Sequence, residues 1–103
     1  MKIECRCGET IHDSGDGLSN KAHVIPDAGL FPLMDALEDL VLKHCQTATQ
    51  REAACTRLRS LFSKASRQAW QCRACGRLYL DDAAHALHAY APEEGATKAI
   101  FAP

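Results

Sequence analysis

Two short cysteine pairs constrain the fold of this 103-residue chain more than any other feature of its sequence. One pair stands in Cys5-Arg6-Cys7-Gly8, and the other stands in Cys72-Arg73-Ala74-Cys75-Gly76. Two thiolates on one tight turn can reach the same metal ion, and the following glycine permits the positive-φ backbone that such turns often need. Four thiolates complete a tetrahedral shell that leaves no open position, which is the arrangement of structural zinc sites. The spacing therefore predicts a structural zinc ion bound by Cys5, Cys7, Cys72 and Cys75.

The composition gives a reason for such a metal site. Apolar residues make up 47% of the chain, but 17 of them are alanine, and Leu, Ile, Val and Phe together number only 20. A domain of this size buries about two-thirds of the surface of its chain. With few bulky core residues, a metal staple would add stability that packing alone supplies poorly. The net charge of −1 does not favour disorder, so we expect one compact domain.

Other uses of the cysteines stay open at this point. An iron–sulfur cluster also takes four thiolates. The run Trp70-Gln71-Cys72-x-x-Cys75 also resembles a thioredoxin-like redox site, but such a site opens a helix, whereas Gly76 and a strand-like run follow here. One of the five histidines replacing a cysteine ligand is a further alternative.

Two helices are predicted between the cysteine pairs. Apolar residues recur at helical spacing from Leu30 to Cys45, with Pro32 in the first turn and His44 on the core side. Thr49-Gln50-Arg51-Glu52 matches a capping box and predicts the start of a second helix there. Because only a few residues link the two helices, we expect an antiparallel hairpin over about residues 30–66.

The two remaining cysteines fall at the edges of these helical stripes. Cys45 and Cys55 are therefore interpreted as small buried hydrophobic residues. A disulfide between them across the hairpin, under oxidation, is left open.

Short extended segments are predicted on both sides of the hairpin. The acidic loop Asp13–Gly17 has Gly15 where a calcium loop needs an oxygen ligand, so it is interpreted as a plain loop. The expected fold class is α+β: a small zinc-ribbon β unit, from about residues 1–26 and 68–103, with an inserted antiparallel α-hairpin in a single domain. The predicted extended segments are Lys2–Asp13 in two pieces, Lys21–Pro26, Ala69–Gln71, Leu78–Leu80, His85–Tyr90 and Thr97–Phe101.

The sequence lacks the two kinds of apolar segment that direct a protein into or across a membrane. No run approaches the ~20 apolar residues of a membrane span, and the first residues lack the apolar stretch of a signal peptide. The expectation is a cytoplasmic protein without membrane contact, in which structural disulfides are rare.

Charge is distributed unevenly along the chain. Residues 1–50 carry a net −4, residues 51–77 a net +6 and residues 78–103 a net −3. The simpler interpretation is that a basic second helix packs beside an acidic first helix. The alternative is a nucleic-acid or acidic-partner surface, disfavoured by the near-neutral total and the few aromatic residues. Its candidate contacts are Arg57, Lys64, Arg67, Arg73 and Arg77.

The two Cys-Gly turns occur together with several other short patterns: Asp13 with Asp16, Lys21-Ala22, Ile25-Pro26-Asp27, Tyr79-x-Asp81-Asp82 and Leu87-His88. This overall pattern resembles a group of small bacterial zinc-ribbon-like proteins. The resemblance implies no catalytic activity. Some members of the group look like immunity proteins encoded beside secreted toxins, which they bind and block. The leading hypothesis is therefore a non-enzymatic, zinc-stapled binding protein of immunity or antitoxin type, whose partner is a protein such as a toxin encoded nearby.

Overall fold

The computed structural model describes residues 1–103 and has the α+β class expected from the sequence. Two helices and six strands form two compact units. The β unit consists of Met1–Val24 and Gln68–Pro103, and the hairpin unit consists of Ile25–Arg67. The expectation that both belong to a single domain stays a prediction.

The β unit contains two sheets. Strands β1 (Lys2–Glu4) and β2 (Thr10–His12) pair antiparallel, with Ile3 opposite Ile11. The second sheet has the strand order β3-β4-β5-β6, and both β4–β5 and β5–β6 pair antiparallel. Its strands are β3 (Lys21–Val24), β4 (Arg67–Gln71), β5 (Leu78–Asp81) and β6 (Leu87–Tyr90).

The core of the β unit is small and lies around the cysteines. Trp70 and Tyr79 face each other across β4 and β5, and both are almost fully buried. They cluster with Ile3 and Ile11, so large side chains of both sheets surround the buried Cys5 and Cys72. Because the sequence is poor in bulky residues, this one cluster contains most of the buried apolar side chains of the unit.

The Asp13 loop is anchored by its first residue. Oδ2 of Asp13 accepts hydrogen bonds from Nζ of Lys21 at 2.8 Å and from Nε1 of Trp70 at 3.1 Å. The ammonium of Lys21 also lies 5.7 Å from the centre of the Trp70 ring. The hydrogen bond from Lys21 lowers the pKa of the Asp13 carboxyl. Asp13 thus ties the loop to the core, in keeping with a structural loop.

The hairpin unit contains α1 (Asp27–Lys43) and α2 (Ala48–Ala65). Leu33 and Leu40 of α1 and Ala54 of α2 are its buried residues. The prediction that α1 starts at Leu30 was wrong by one turn. Pro32 therefore lies in the helix interior, where it lacks the N–H that would complete a backbone hydrogen bond.

The capping residue of α2 is Thr47, so the prediction of a capping box at Thr49 was also wrong. Oγ1 of Thr47 accepts a hydrogen bond from the backbone N–H of Gln50 at 3.1 Å. Oε1 of Gln50 in turn accepts one from the backbone N–H of Gln46 at 2.8 Å. Thr47 and Gln50 thus form a variant of a capping box two residues earlier than predicted, in which the second hydrogen bond comes from Gln46, the residue before the cap.

Two side chains predicted to be buried in the hairpin are exposed. His44 follows the last residue of α1, and its side chain is 58% exposed. Cys55 is exposed and Cys45 is partly buried, so only Cys45 approaches the expected burial. With Leu33, Leu40 and Ala54 at the helix contact, the hairpin has no deep core that could enclose residues at the edges of the stripes.

Two predicted extended segments also differ. His85 has a φ of 64° in the turn between β5 and β6, so β6 begins only at Leu87. No strand forms over residues 97–101, because this segment bonds to a side chain instead of a strand. The buried Gln71 donates from Nε2 to the carbonyl of Thr97 at 2.9 Å and accepts from the N–H of Ile100 at 2.9 Å.

Neither helix combines the length and the apolar character that crossing a membrane requires.

Candidate metal centre

Two tight turns of the β unit present the four cysteines. In the first turn, the N–H of Cys5 donates to the carbonyl of Glu9, and the N–H of Gly8 donates to the carbonyl of Cys5. Gly8 has a φ of 97°, in the left-handed region that glycine adopts without a steric penalty. The turn thus fits two cysteines with one residue between them, because Gly8 reverses the chain directly after Cys7.

The second turn repeats this construction with one more residue. The N–H of Cys72 donates to the carbonyl of Arg77, and the N–H of Gly76 donates to the carbonyl of Cys72. Gly76 has a φ of 85°. The similar backbone bonding explains why Cys-x-Cys-Gly and Cys-x-x-Cys-Gly can serve the same purpose despite their different spacing.

The four sulfur atoms form one cluster. Sγ of Cys5 lies 3.5 Å from Sγ of Cys75, and Sγ of Cys7 lies 3.7 Å from Sγ of Cys72. All four ligand atoms lie within 4.8 Å of one another. A disulfide needs about 2.05 Å, and all six cysteines are free thiols. Sulfurs bound tetrahedrally at about 2.3 Å from one ion lie about 3.8 Å apart, so the cluster has the dimensions of a metal site.

The thiols of this cluster oppose one another's ionisation. Burial disfavours the Cys5 thiolate, but the backbone N–H of Cys7 and the hydroxyl of Tyr79 favour it and lower the pKa of Cys5 to about 6. At Cys7 the backbone N–H of Glu9 favours the thiolate, yet desolvation and the neighbouring sulfurs raise the pKa to about 12. A divalent cation among the sulfurs removes this conflict, because it attracts every thiolate.

Comparison with models of protein families places the chain. A family model described as a domain of unknown function (DUF8617) matches residues 1–94. The chain belongs to this family. No curated protein and no solved structure matches the chain.

The matched range of the DUF8617 domain contains all four clustered cysteines, both helices and all six strands. The sulfur cluster is therefore a feature of the family region of this chain. The resemblance to zinc-ribbon and immunity proteins stays a prediction.

Two residues that the sequence analysis did not assign to the site support the cysteines of this DUF8617 domain. Nη1 of Arg77 lies 3.5 Å from Sγ of Cys75, where its charge stabilises a thiolate. The hydroxyl of Tyr79 accepts a hydrogen bond from the backbone N–H of Arg6 at 3.2 Å and also bonds the sulfur of Cys5. Their positions in the sequence could have indicated this role, because Arg77 and Tyr79 follow the second cysteine pair within four residues.

The five basic residues predicted as nucleic-acid contacts lie in both units. Arg57 and Lys64 are exposed on α2, and Arg67 begins β4. Arg73 is engaged within the β unit, since its Nη2 donates to the side chains of Ser19 and Asn20. Arg77 contacts the sulfur cluster. Two of the five therefore have roles in the internal structure of the β unit.

The remaining cysteines and histidines lie outside the cluster. Cys45 and Cys55 belong to the hairpin unit, and no histidine joins the four sulfurs. His88 instead bonds the carboxylate of Asp82, with 2.7 Å between Nε2 and Oδ2. The other carboxylate oxygen of Asp82 accepts from the N–H groups of Ala84 and Ala86. Asp82 and His88, both part of the resemblance, thus hold the turn between β5 and β6.

Proposed function

We propose that this protein is a non-enzymatic, zinc-stapled binding protein that recognises and blocks a partner protein, in the manner of the immunity proteins that its sequence resembles. The observation that carries the proposal is the four-sulfur cluster. A zinc ion bound by four thiolates has no coordination position left for a substrate or water, so its role is structural. The staple would hold the β unit rigid for recognition.

Zinc is the metal that suits this donor set best. Four thiolates in a tetrahedron are typical of zinc and of iron–sulfur proteins. Sulfur separations of 3.5 and 3.7 Å fit a single ion at the centre of the cluster. A cluster of several iron and sulfide ions would set its cysteine sulfurs farther apart. The dimensions therefore favour one ion over a cluster, and zinc is the usual single ion in a structural site of four cysteines.

The edge strand β6 is the surface that we assign to the partner. It pairs only with β5, so one row of its backbone N–H and C=O groups has no strand beside it. All four of its residues are exposed, including Leu87 at 42% and Tyr90 at 58%. An extended segment of a partner can add to such an edge, with Leu87 and Tyr90 providing side-chain contacts.

The charge near this edge favours a basic partner. Residues 78–103 carry four acidic residues and one lysine, a net charge of −3. Acidic surfaces attract basic proteins and raise their association rate, and this effect weakens with salt. A bacterial toxin with a basic face, encoded beside this protein, is the partner class that we propose.

Co-expression with the product of the neighbouring gene tests this function. The expected result is a complex that contains one zinc ion per chain by native mass spectrometry and that protects cells from the partner's toxicity. Leu87→Asp should weaken the complex, whereas Leu42→Asp, at a still more exposed apolar residue of α1, should leave it unchanged. Absence of both complex and protection would contradict the proposal.

The nucleic-acid alternative stays a prediction for the basic segment 51–77. It predicts binding to DNA or RNA that falls steeply as salt increases, because each bound phosphate releases counterions. Arg57→Ala and Lys64→Ala would reduce the slope of affinity against salt. Salt-insensitive or absent binding would exclude this alternative.

A further inference from the structure

The two helices leave a set of large apolar side chains exposed. Met34 and Val41 of α1 and Leu58 and Phe62 of α2 are between 40 and 61% exposed. None of them lines the two shallow grooves that run between the helices. An apolar cluster of this kind on a small protein marks an interaction surface.

The positions of these residues place them on one side of the hairpin. Leu33 and Leu40 are the buried contact residues of α1, and Met34 and Val41 are the residues that directly follow them. One position along a helix corresponds to a rotation of about 100° around the helix axis. Phe62 follows Leu61, which shares a groove with Leu33, by the same step. Because the helices are antiparallel, equal rotations from their contact line point to the same side. We call this side, formed by Met34, Val41, Leu58 and Phe62, the outer face.

The charges of the hairpin indicate what covers the outer face. Helix α1 carries four acidic residues and one lysine, a net −3, and α2 carries four basic residues and one glutamate, a net +3. The two helices contact each other, but no salt bridge joins them: α1 has ion pairs of Asp39 with Lys43 and His44, and α2 has none. Arg57 and Lys64 line the two grooves, so the basic residues of α2 that remain available beside the outer face are Arg51 and Arg59. A partner that matches both helices at once is acidic opposite α2 and basic opposite α1.

We propose that this partner is a second copy of the same chain, bound outer face to outer face. A two-fold axis parallel to the helices sets α1 of each copy against α2 of the other, so that each acidic helix meets a basic helix. A two-fold axis perpendicular to the helices would set α1 against α1 and α2 against α2, with like charges opposed. Charge thus selects the first arrangement, a four-helix bundle with antiparallel neighbours.

Two charged residues at the rim of the outer face make this arrangement specific. Glu38 lies between Met34 and Val41 in the α1 sequence, and Arg59 directly follows Leu58 in α2; both are exposed. Leu40 and Ala54 line one groove, and Leu33 and Leu61 line the other. Residues that share a groove lie at the same height along the hairpin, so these two pairs fix which residues of α1 and α2 lie side by side. At that register Glu38 of one copy lies within about one helical turn of Arg59 of the second copy. Each dimer contains this contact twice.

The size of the face sets the expected strength. A helix of 17 residues is about 26 Å long, and two helices side by side are about 20 Å wide. The resulting contact is at the small end of specific interfaces, where complexes are weak and transient. The proposal is independent of the proposed function, which uses β6 of the other unit.

Sedimentation equilibrium of the zinc-loaded protein, from about 5 to 500 µM, tests the proposal. The expected result is a monomer–dimer equilibrium that weakens as salt increases. Glu38→Arg alone and Arg59→Glu alone should each raise the dimer dissociation constant roughly tenfold or more, since each replaces two attractive contacts with repulsive ones. An equimolar mixture of the two variants should restore the dimer, because both contacts in the mixed dimer join opposite charges.

The mixture also controls for folding, because a variant that had lost its helices could not restore the dimer. Tyr90→Ser, on the exposed strand β6, should leave the dimer unchanged. The proposal is overturned by a monomer over the whole concentration range, which would leave the outer face to a different protein. It is also overturned by a dimer that resists both charge substitutions, or by a mixture that stays as weak as the single variants.

Discussion

The sulfur atoms of Cys5 and Cys75 lie 3.5 Å apart although the two residues are 70 positions apart in the chain. This contact joins the two tight turns, which supply the two halves of one site. Loss of a single ligand should therefore affect the whole β unit, because the core residues Trp70 and Tyr79 cluster with the same cysteines.

Cys72→Ser should abolish stoichiometric zinc binding and unfold the β unit. Cys72 is fully buried, and structural zinc contributes on the order of 10 kcal/mol to the folding of small metal domains. Native mass spectrometry and circular dichroism would measure the two effects. Cys55→Ser is the matched control, and it should bind one zinc and melt like the parent. A Cys72→Ser variant as stable as the parent would refute the zinc assignment.

The reactivity of the thiols should divide the six cysteines into two groups. In the zinc-loaded protein only Cys45 and Cys55 should react rapidly with a thiol reagent, because metal-bound sulfurs are protected. After chelation of the metal under denaturing conditions all six should react. Rapid reaction of all six before chelation would indicate that the cluster holds no metal, and fewer than six afterwards would indicate a disulfide.

Arg77→Ala should lower zinc affinity by roughly 10- to 100-fold, the usual effect of removing a group that supports a metal ligand. The guanidinium of Arg77 lies 3.5 Å from Sγ of Cys75 and offsets part of the negative charge of the thiolates. Competition with a chromogenic chelator would measure the affinity. Arg57→Ala, on α2, removes the same charge without a sulfur contact, so an equal loss there would rule out a local role for Arg77.

The two turn glycines should differ in their tolerance of alanine. Gly8→Ala meets no atom within 4 Å, so its cost is only that of a side chain at positive φ, about 1–2 kcal/mol. At Gly76 the added Cβ would also lie 3.3 Å from Cγ of Lys98 and 3.4 Å from Cγ of Pro92. We therefore expect Gly76→Ala to cost about 1 kcal/mol more. Urea unfolding of the zinc-loaded variants would measure the difference, and equal costs would show that the C-terminal segment yields freely.

The turn between β5 and β6 should respond to pH through Asp82. His88, followed by the N–H groups of Ala86 and Ala84, lowers the pKa of the Asp82 carboxyl to about 2. Since the folded pKa is lowered, the ionised carboxylate stabilises the turn above the ordinary aspartate pKa, and this contribution is lost as the pH falls through about 2.

Amide chemical shifts of Ala84 and Ala86 would test this pH dependence. In the parent protein they should show no titration step at about pH 4, where an ordinary aspartate titrates. In the His88→Ala variant the pKa of Asp82 should lie closer to its ordinary value. The amide shifts of Ala84 and Ala86 should therefore begin to change at a higher pH than in the parent protein. Identical profiles for both proteins would contradict the role of His88.

Local patterns in the sequence were sufficient for the cysteine turns and for the existence of two helices. A Cys-Gly turn depends on residues within four or five positions, and an amphipathic helix repeats its pattern over several turns. The exact helix starts were missed because Thr47 and Thr49 both satisfy the local rule for a cap, and only the folded backbone selects Thr47.

The tertiary structure decided which distant residues meet. Tyr79 supports the cluster because β5 brings its hydroxyl to the backbone N–H of Arg6 in the first turn, and Gln71 binds residues 97–101 because both segments lie beside the second turn. The opposite charges of α1 and α2 could be counted in the sequence, but only the structure shows that no salt bridge joins the two helices. Residue type determines what each side chain can bind. The fold determines which partners are within reach, because hydrogen bonds and ion pairs act over a few ångströms of space regardless of separation along the chain.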